Sequence, residues 1–560
     1  MDRLKVFLRA NRSALLLILA YLVLLAPYSL NFVFYMPDEH HYVDAAIHML
    51  KHGEYLSPHN PDGGYRFLKP IFTYWTVLLS YSLFGISEWS SRLPVWLTAG
   101  MVLWMTYRVA LLAFRRKDIA LLSMLIVGAT PILHRSTAVT ITDLFLLVFL
   151  QFMLWGVIGL LVSRNVGKRF LWAVYLGAGF AVMSKGLPAI AFLLVALFFL
   201  LLNPWKRFRI REIVHFPAVL AGLVLGGFWY VAVYVKHGPE ALGSFMHDQV
   251  GMRVAEKLGF IVTNFFQSIL VVILVAFPFA LPGWRSLMYR DHATTKHRAT
   301  KSILAFSLLW VVAMVGMASF VSKFYYRYLL PVIPVMAMAM AYFITLNKDK
   351  KGTQRFLRVA IVIAYSLFLL VNIAGIVSIL LFWGPRWFFA VFVANIAGGS
   401  WSFFKLIKGN TMQQAKLPFF LMAGVFWSLF FVISPISKPG LGPQLVSELK
   451  QQNVDFHGNI HFYGKRRSAS RLRVASQGEL DFKTYKPFER PVEPNDEVLI
   501  VADSYIDSLA LDGFQLNIGS VVWDGIDPGE LLKVKSQKEL QELKLKNASI
   551  YYICVKQDEE

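Results

Sequence analysis

Thirteen apolar runs separated by short blocks of lysine and arginine constrain this chain more than any other feature of its sequence. They lie near 14–35, 93–114, 119–133, 141–162, 170–183, 187–202, 214–235, 259–282, 302–320, 328–346, 357–382, 387–407 and 417–436. Each meets or approaches the length of about 20 residues that a helix needs to cross a bilayer. Residues 71–85 are also apolar, but short and rich in Tyr and Trp, which suits a segment at the membrane interface. With 56% hydrophobic and 16% charged residues, the chain reads as a polytopic membrane protein. A net charge of +22 would also fit a nucleic-acid binder. The basic residues, however, occupy the loops between spans, so the implied partner is membrane lipid and not nucleic acid. A single cysteine, Cys554, excludes an internal disulfide. The start "MDRLKVFLRANRS" precedes an apolar run that continues into bulky "LLAPYSLNFVFYMP", which reads as an uncleaved first span.

Charge then orients the spans. With the N-terminus cytoplasmic, the inner loops are "FRRKD", "SRNVGKR", "NPWKRFRIRE", "GWRSLMYRDHATTKHRATK", "NKDKKGTQRFLR" and "KGNTMQQAK". Lys and Arg are about threefold denser there than in the outer loops. Both loops flanking 170–202 are basic, so that stretch must cross twice, with a break near Ser184-Lys185-Gly186. Thirteen spans put the C-terminus outside, as expected of a multi-pass protein of a bacterial plasma membrane. Beyond Pro439 the chain mixes charge with the strand-like runs "NIHFYG", "DEVLIVAD" and "IYYICVK" and the helical run "SQKELQELKLK". The expected architecture is a membrane domain over residues 1–436, with interfacial helices in a first outer loop at 36–92. A small α/β domain over 437–560 follows on the outer face.

On this topology the unusual polar residues share one side. Asp38, Glu39 and Lys69 fall in the first outer loop, and Asp143 at the mouth of the fourth span. Lys185 sits in the tight turn "MSKGLP", Asp248 and Arg253 in "FMHDQVGMRV", and Lys323, Tyr326 and Arg327 in "VSKFYYRYLLP". Ionisable groups at span ends beside apolar walls are costly to keep and mark functional sites. Asp38 also reads as an N-cap for a helix whose stripe is Tyr42, Ala45, Ala46, Met49 and Leu50. Such a helix lies in the interface plane. Glu39 is either a second catalytic carboxylate or a supporting one, and Asp143 either a helix cap or another catalytic acid. Metal binding by Asp38, His40 and His41 is the weaker reading, because neighbours on a helix point apart. His48 and His52, one turn apart, read as solvated.

Carboxylates beside Lys and Arg at an outer interface suit a reaction on a lipid-linked sugar phosphate. Its tail would lie between spans and its head would meet the cations. Displacement at the anomeric carbon needs a base for the acceptor hydroxyl, with Asp38 the candidate. It also needs cations for the departing phosphate, here Lys69, Lys185, Lys323 and Arg327. A single displacement inverts the anomeric centre. It requires no cofactor, and neither a P-loop nor a dinucleotide turn is visible.

The stretch "PDEHHYVDAAIHMLKHGEYLSPHNPDGGYRFLKPIFTYWTVLLSYSLFGISEWSSRLP" resembles the opening of the membrane-embedded GT-C glycosyltransferases of the aminoarabinose-transferase and protein O-mannosyltransferase group. Asp38, Glu39, Tyr42, Gly53, Pro58, Lys69, Pro70, Tyr74, Trp75, Phe84, Gly85, Arg92, Leu93 and Pro94 fit that pattern. The stretches "ITD" at Asp143, "SKG" at Lys185, "FWYV" at Trp229 and "SKFYYRYLLP" at Lys323 resemble the motifs that follow. The resemblance implies a GT-C fold, a polyprenyl-phosphate-sugar donor, a catalytic aspartate in the first outer loop and an outer α/β domain. Tyr42, Tyr74, Asp248, Arg253 and Tyr326 join the substrate-binding candidates. Two positions depart: Leu68 stands where the aminoarabinose enzymes have an acid, and His41 where a basic residue is usual. The resemblance therefore carries the reaction and not the sugar.

The expected acceptor is lipid A or another cell-surface glycan. The rival within the fold is Ser/Thr of translocated proteins. A transporter is the rival of a different class. Transporters hold their polar residues near the midplane, often in repeated halves; this chain keeps them at one face and shows no internal repeat.

Overall fold

The computed structural model describes residues 2–31, 36–60, 63–246, 258–289, 297–382, 385–437, 441–456, 458–486, 489–493, 495–523, 530, 533–546 and 548–556. Helix α1 (Asp2–Ser29) leads into the first loop, which carries α2 (His40–His52) and α3 (Phe72–Phe84). The bundle continues through α4 (Glu88–Phe114), α5 (Lys117–Gly128), α6 (Pro131–Thr137), α7 (Asp143–Val162), α8 (Lys168–Lys185) and α9 (Pro188–Leu202). Then come α10 (Ile210–Ile213), α11 (Phe216–His237), α12 (Pro239–Met246), α13 (Leu258–Leu274), α14 (Ala280–Leu287) and α15 (Arg298–Ser319). Helices α16 (Val332–Leu346), α17 (Lys351–Phe382), α18 (Arg386–Leu406) and α19 (Thr411–Ser437) complete it.

Among the described residues, eight helices are long and apolar enough to cross a membrane: α1, α4, α7, α11, α15, α17, α18 and α19. The pair α5–α6 makes a ninth span if its two halves are counted together. Helices α9, α13 and α16 are apolar but shorter. Every apolar run of the sequence falls on a helix, but length and apolarity support eight or nine crossings where thirteen were expected.

The run at 119–133, expected as one helix, is broken. It bends by 63° between α5 and α6, where Pro131 lacks the N–H that would continue the ladder. The break expected at Lys185 is present: α8 ends there and Gly186 turns with φ +84, which favours glycine. Small residues let the helices that carry this turn pack closely. A Cβ on Gly179 of α8 would come within 2.6 Å of the Gly222 carbonyl oxygen of α11. Buried polar pairs add interhelical links, as where Gln151 of α7 donates to the Thr106 hydroxyl of α4 at 2.7 Å.

The first loop does not lie loosely at an interface. One face of α2, with Tyr42, Ala45 and Met49, packs with Ile71 and Tyr74 against Met183, Trp229 and Val233 of α8 and α11. The other face, with Val43, Ala46 and Ile47, meets Val77 and Tyr81 of α3 and Val474 of the C-terminal domain. That domain begins with α20 (Leu441–Gln451) and continues through β1 (Ile460–Tyr463), α21 (Arg466–Ala475), β2 (Lys483–Tyr485), β3 (Val498–Ala502), β4 (Phe514–Trp523) and β5 (Ala548–Lys556). The five strands run in the order β2-β1-β3-β5-β4. The first three are parallel, and β5 and β4 join antiparallel. Leu445 and Leu449 of α20 and Ala469 and Leu472 of α21 pack on the sheet.

Helix α21 also docks the domain onto α2 through a buried ion pair, Arg473 Nη1 to Asp44 Oδ1 at 3.2 Å. Burial, only partly offset by Arg473, raises the Asp44 carboxyl to about 6. The folded chain therefore holds this proton more tightly than the unfolded chain does. Stability from this group is greatest below pH 4 and falls as pH rises from about 4 to about 6. Thermal unfolding of the detergent-solubilised chain is expected to show wild type losing on the order of 3 kcal/mol relative to Asp44→Asn across that window, with parallel profiles above it.

Candidate active site at the first-loop end of the bundle

The site is organised around a carboxylate that does not reach it. Glu39 is completely buried, as is Arg92 of α4. Arg92 Nε donates to Glu39 Oε1 at 2.9 Å and Nη2 to Oε2 at 2.6 Å. The Thr140 backbone N–H donates to Oε1 at 2.8 Å and that of Met36 to Oε2 at 2.9 Å. Arg92 Nη1 also donates to the Asn31 carbonyl. Both Glu39 oxygens are thus occupied, and the clamp joins the segment after α1, the start of α2, α4 and the turn before α7.

Asp38 follows from that clamp. It sits in a 3-10 turn over Pro37–Glu39, and α2 starts without a side-chain cap. The expected N-cap role is therefore replaced: Asp38 Oδ2 accepts from Arg327 Nη2 at 3.1 Å, while the side chain remains 55% exposed. The Arg327 Nε lies 3.4 Å from Asp143 Oδ2, and the other Asp143 oxygen accepts from Lys185 Nζ. Asp38, Arg327, Asp143 and Lys185 form one chain of alternating charge drawn from the first loop, the turn before α16, the start of α7 and the end of α8. Asp143 occupies the first turn of α7, where the helix dipole favours an anion, and Lys185 the last residue of α8, where it favours a cation. Burial works against the Arg327 charge, but Asp143 and then Asp38 outweigh it and hold the guanidinium above its ordinary value. Tyr328 lies under Lys185, with the ammonium 4.7 Å from the ring centroid, and Tyr325 lies 4.4 Å from the Arg327 guanidinium.

The remaining expected residues divide. Lys69 is half-buried. The adjoining Pro70 would be 3.7 Å from a Cβ on Gly186, so the "KP" turn sits beside the Lys185 turn. Tyr42 and Tyr74 are buried, with ring centroids 4.9 Å apart. Burial, with Asp143 and Asp38 nearby, keeps the Tyr42 phenol well above its ordinary value and therefore a neutral donor. Lys323 is exposed on the Arg327 loop, and none of the ion pairs among the described residues includes it. Tyr326 is 44% exposed and faces Arg135. Asp248 and Arg253 lie outside the described residues.

The His40 and His41 rings do not diverge as expected of helix neighbours. Their centroids are 3.7 Å apart, because His40 joins α2 directly from the 3-10 turn. Burial, reinforced by Arg66, lowers His41 to about 2, so it is neutral. Among the described residues the group placed to hold a metal ion is instead His48, Glu54 and His59.

Sequence reasoning passed over Arg135, whose Nη2 is 3.3 Å from Met36 Sδ, within two residues of Asp38. The available signal was a cation interrupting an apolar stretch just after Thr130-Pro131. It also passed over Arg66, which acts on Tyr42, Tyr74 and His41.

The chain is similar in sequence and in fold to known proteins. The family model for dolichyl-phosphate-mannose-protein mannosyltransferases matches residues 68–230. The crystal structure of ArnT from Cupriavidus metallidurans bound to undecaprenyl phosphate superposes with a TM-score of 0.68. It shares 15% identity, with 97% of this chain and 98% of that chain covered. A protein of Aquifex aeolicus is 29% identical over 62% of this chain and 68% of its own length. An undecaprenyl phosphate-alpha-4-amino-4-deoxy-L-arabinose arabinosyl transferase of Yersinia pestis is 25% identical over 60% of each chain. The match thus spans less than two thirds of that transferase. The fold and the arrangement of its first loop define a multi-pass membrane protein with the GT-C glycosyltransferase fold. Within that class, the chain is similar in fold to ArnT and in sequence to the aminoarabinose transferases.

The Glu39–Arg92 clamp predicts a stability defect separable from chemistry. Glu39→Gln leaves the Arg92 charge buried without its counter-ion, which costs about 3–5 kcal/mol. Thermal unfolding in detergent is expected to show this loss for Glu39→Gln and for Arg92→Met, and a much smaller one for Asp38→Asn.

Proposed function

We propose that this protein transfers a sugar from a polyprenyl-phosphate-linked donor to a lipid or glycan acceptor such as lipid A, at the extracytoplasmic surface of the membrane. The N-terminus is cytoplasmic in this reading, and the C-terminal domain lies on the same side as the site. The observation that carries it is the chain Asp38–Arg327–Asp143–Lys185, which supplies an exposed carboxylate beside two cations.

The donor phosphate takes the place that Asp143 and Asp38 hold on Lys185 and Arg327, with Lys69 adjoining. Asp38 keeps one oxygen open to the acceptor and receives the proton of its hydroxyl. The hydroxyl oxygen bonds to the anomeric carbon as the bond from that carbon to the phosphate oxygen breaks. The electron pair goes to the phosphate, whose growing charge Lys185 and Arg327 stabilise. The anomeric centre inverts and polyprenyl phosphate leaves. Asp143 acts as a positioning residue, because its two oxygens hold Lys185 and Arg327 together until the donor phosphate displaces it. Glu39, enclosed in its clamp, positions Asp38 in the same sense. Tyr42, Tyr74 and Tyr326 line the approach to the sugar, and Lys323 on the loop rim attracts the anionic donor. No step needs a metal.

The donor sugar is open to a different choice from aminoarabinose at Leu68 and His41. Transfer to Ser/Thr of proteins is the second reading, favoured by the family model that matches 68–230.

The test is a transfer assay with purified protein in nanodiscs and radiolabelled polyprenyl-phosphate sugars, offered lipid A and a Ser/Thr peptide separately. Label is expected to pass to lipid A. Asp38→Asn is expected to lower kcat by about 100-fold or more, and Lys185→Ala and Arg327→Ala by a similar order with a raised KM for donor. Label crossing sealed liposomes without transfer, or full activity in Asp38→Asn, would overturn the proposal.

A further inference from the structure

We propose that His48, Glu54 and His59 form a binding site for a divalent transition metal of the zinc type, separate from the reacting centre. Helix α2 places His48 near its end and Asp38 just before its start. Ten residues at 1.5 Å each set the two about 15 Å apart. Past the helix the chain turns at Gly53, presents Glu54, and returns through His59, whose backbone bridges to Tyr65.

One ligand atom from each of the three side chains lies within 4.8 Å of the other two. A zinc ion with ligands at about 2.0–2.1 Å would draw them to roughly 3.4 Å, a change that side-chain torsions can supply. His59 is only 7% exposed, and its ring stacks on that of His48 with centroids 3.9 Å apart. Glu54 Oε2 approaches His59 Nε2 at 3.3 Å.

The second observation is the state of the donor and acceptor atoms. His48 Nδ1, His59 Nδ1 and Glu54 Oε2 are all closed off from solvent with no hydrogen-bond partner. Burying three such atoms in one place is unfavourable for an apo fold and rare in native proteins. A metal ion between the three side chains supplies a partner for Glu54 Oε2 and for one ring nitrogen of each histidine at once. Two imidazoles and a carboxylate are a zinc donor set. The fourth position falls to water or to exposed His52, whose ring centroid is 4.2 Å from that of His48. Next to the site, Ser57 Oγ lies 2.8 Å from His237 Nε2 and 3.2 Å from Lys236 Nζ, which ties this part of the loop to α11. The ion would staple the end of α2 to the returning loop.

The experiment uses the full chain, purified in detergent with a tag free of histidine, stripped by chelator and titrated with zinc chloride against a chromophoric chelator. One zinc per chain is expected, with a higher Tm, and cobalt chloride should give the intense visible bands of a four-coordinate site. His48→Gln, His59→Asn and Glu54→Gln should each weaken zinc at least tenfold, while His297→Gln, at an exposed position on another loop, should not. Glu54 is half-buried at the surface, so its variant tests the site even if the His59 variant misfolds. Absence of stoichiometric zinc, or zinc binding unchanged in Glu54→Gln and His48→Gln, would overturn the proposal.

Discussion

One buried ion pair fixes the relative positions of almost everything else at the site. Glu39 and Arg92 meet with no solvent contact, and the remaining Glu39 capacity is filled by backbone N–H groups from two other segments. Burying such a pair carries a desolvation cost that its mutual attraction recovers only with full hydrogen bonding. That condition is met here. The result is positional: Asp38 is the residue before the clamp, and Asp143 lies three residues beyond the clamped Thr140. Two carboxylates distant in sequence are held against one arginine because a third is locked between them.

Around that fixed frame the charges alternate. Each cation touches at least one carboxylate, and Arg327 touches two. Alternation makes a concentration of charge tolerable beside apolar helices, where an isolated ion would be costly. All four groups stand at ends of helices, at the end of the bundle covered by the C-terminal domain. A transport pathway would instead place them near mid-membrane in paired halves.

The helical, multi-span character was legible because apolar length reports it directly. Length and apolarity in the fold nevertheless support eight or nine crossings among the described residues and not the thirteen read from the sequence. Charge alone located the break at Lys185, since two basic flanks require an even number of crossings. The bend at Pro131 was less visible: an apolar run has the same composition whether straight or broken, and Arg135 fell in the gap. In the C-terminal domain, β1, β3 and β5 were readable as buried runs. Strand β4 escaped because exposed and irregular positions around Ser520 dilute its pattern. Helix α21 escaped because "RRSASRLRVA" looks solvated, although Arg473 is spent on Asp44 and the Phe482 carbonyl. The candidate residues were found by type and side. Their division into chain and clamp was not, because neighbours such as Asp38 and Glu39 differ only in what the fold brings to them. His48 escaped for the same reason, since its partner His59 comes from the returning loop.

Asp143 has a consequence for how the site turns over. It begins α7, so the dipole of that helix favours its charge whether or not Lys185 is in contact. When an incoming anion claims the lysine, this carboxylate is not stranded; it retains a berth on the helix end. On the proposed reading the exchange leaves Asp143 at a helix end that favours its charge, instead of isolating it among apolar helices.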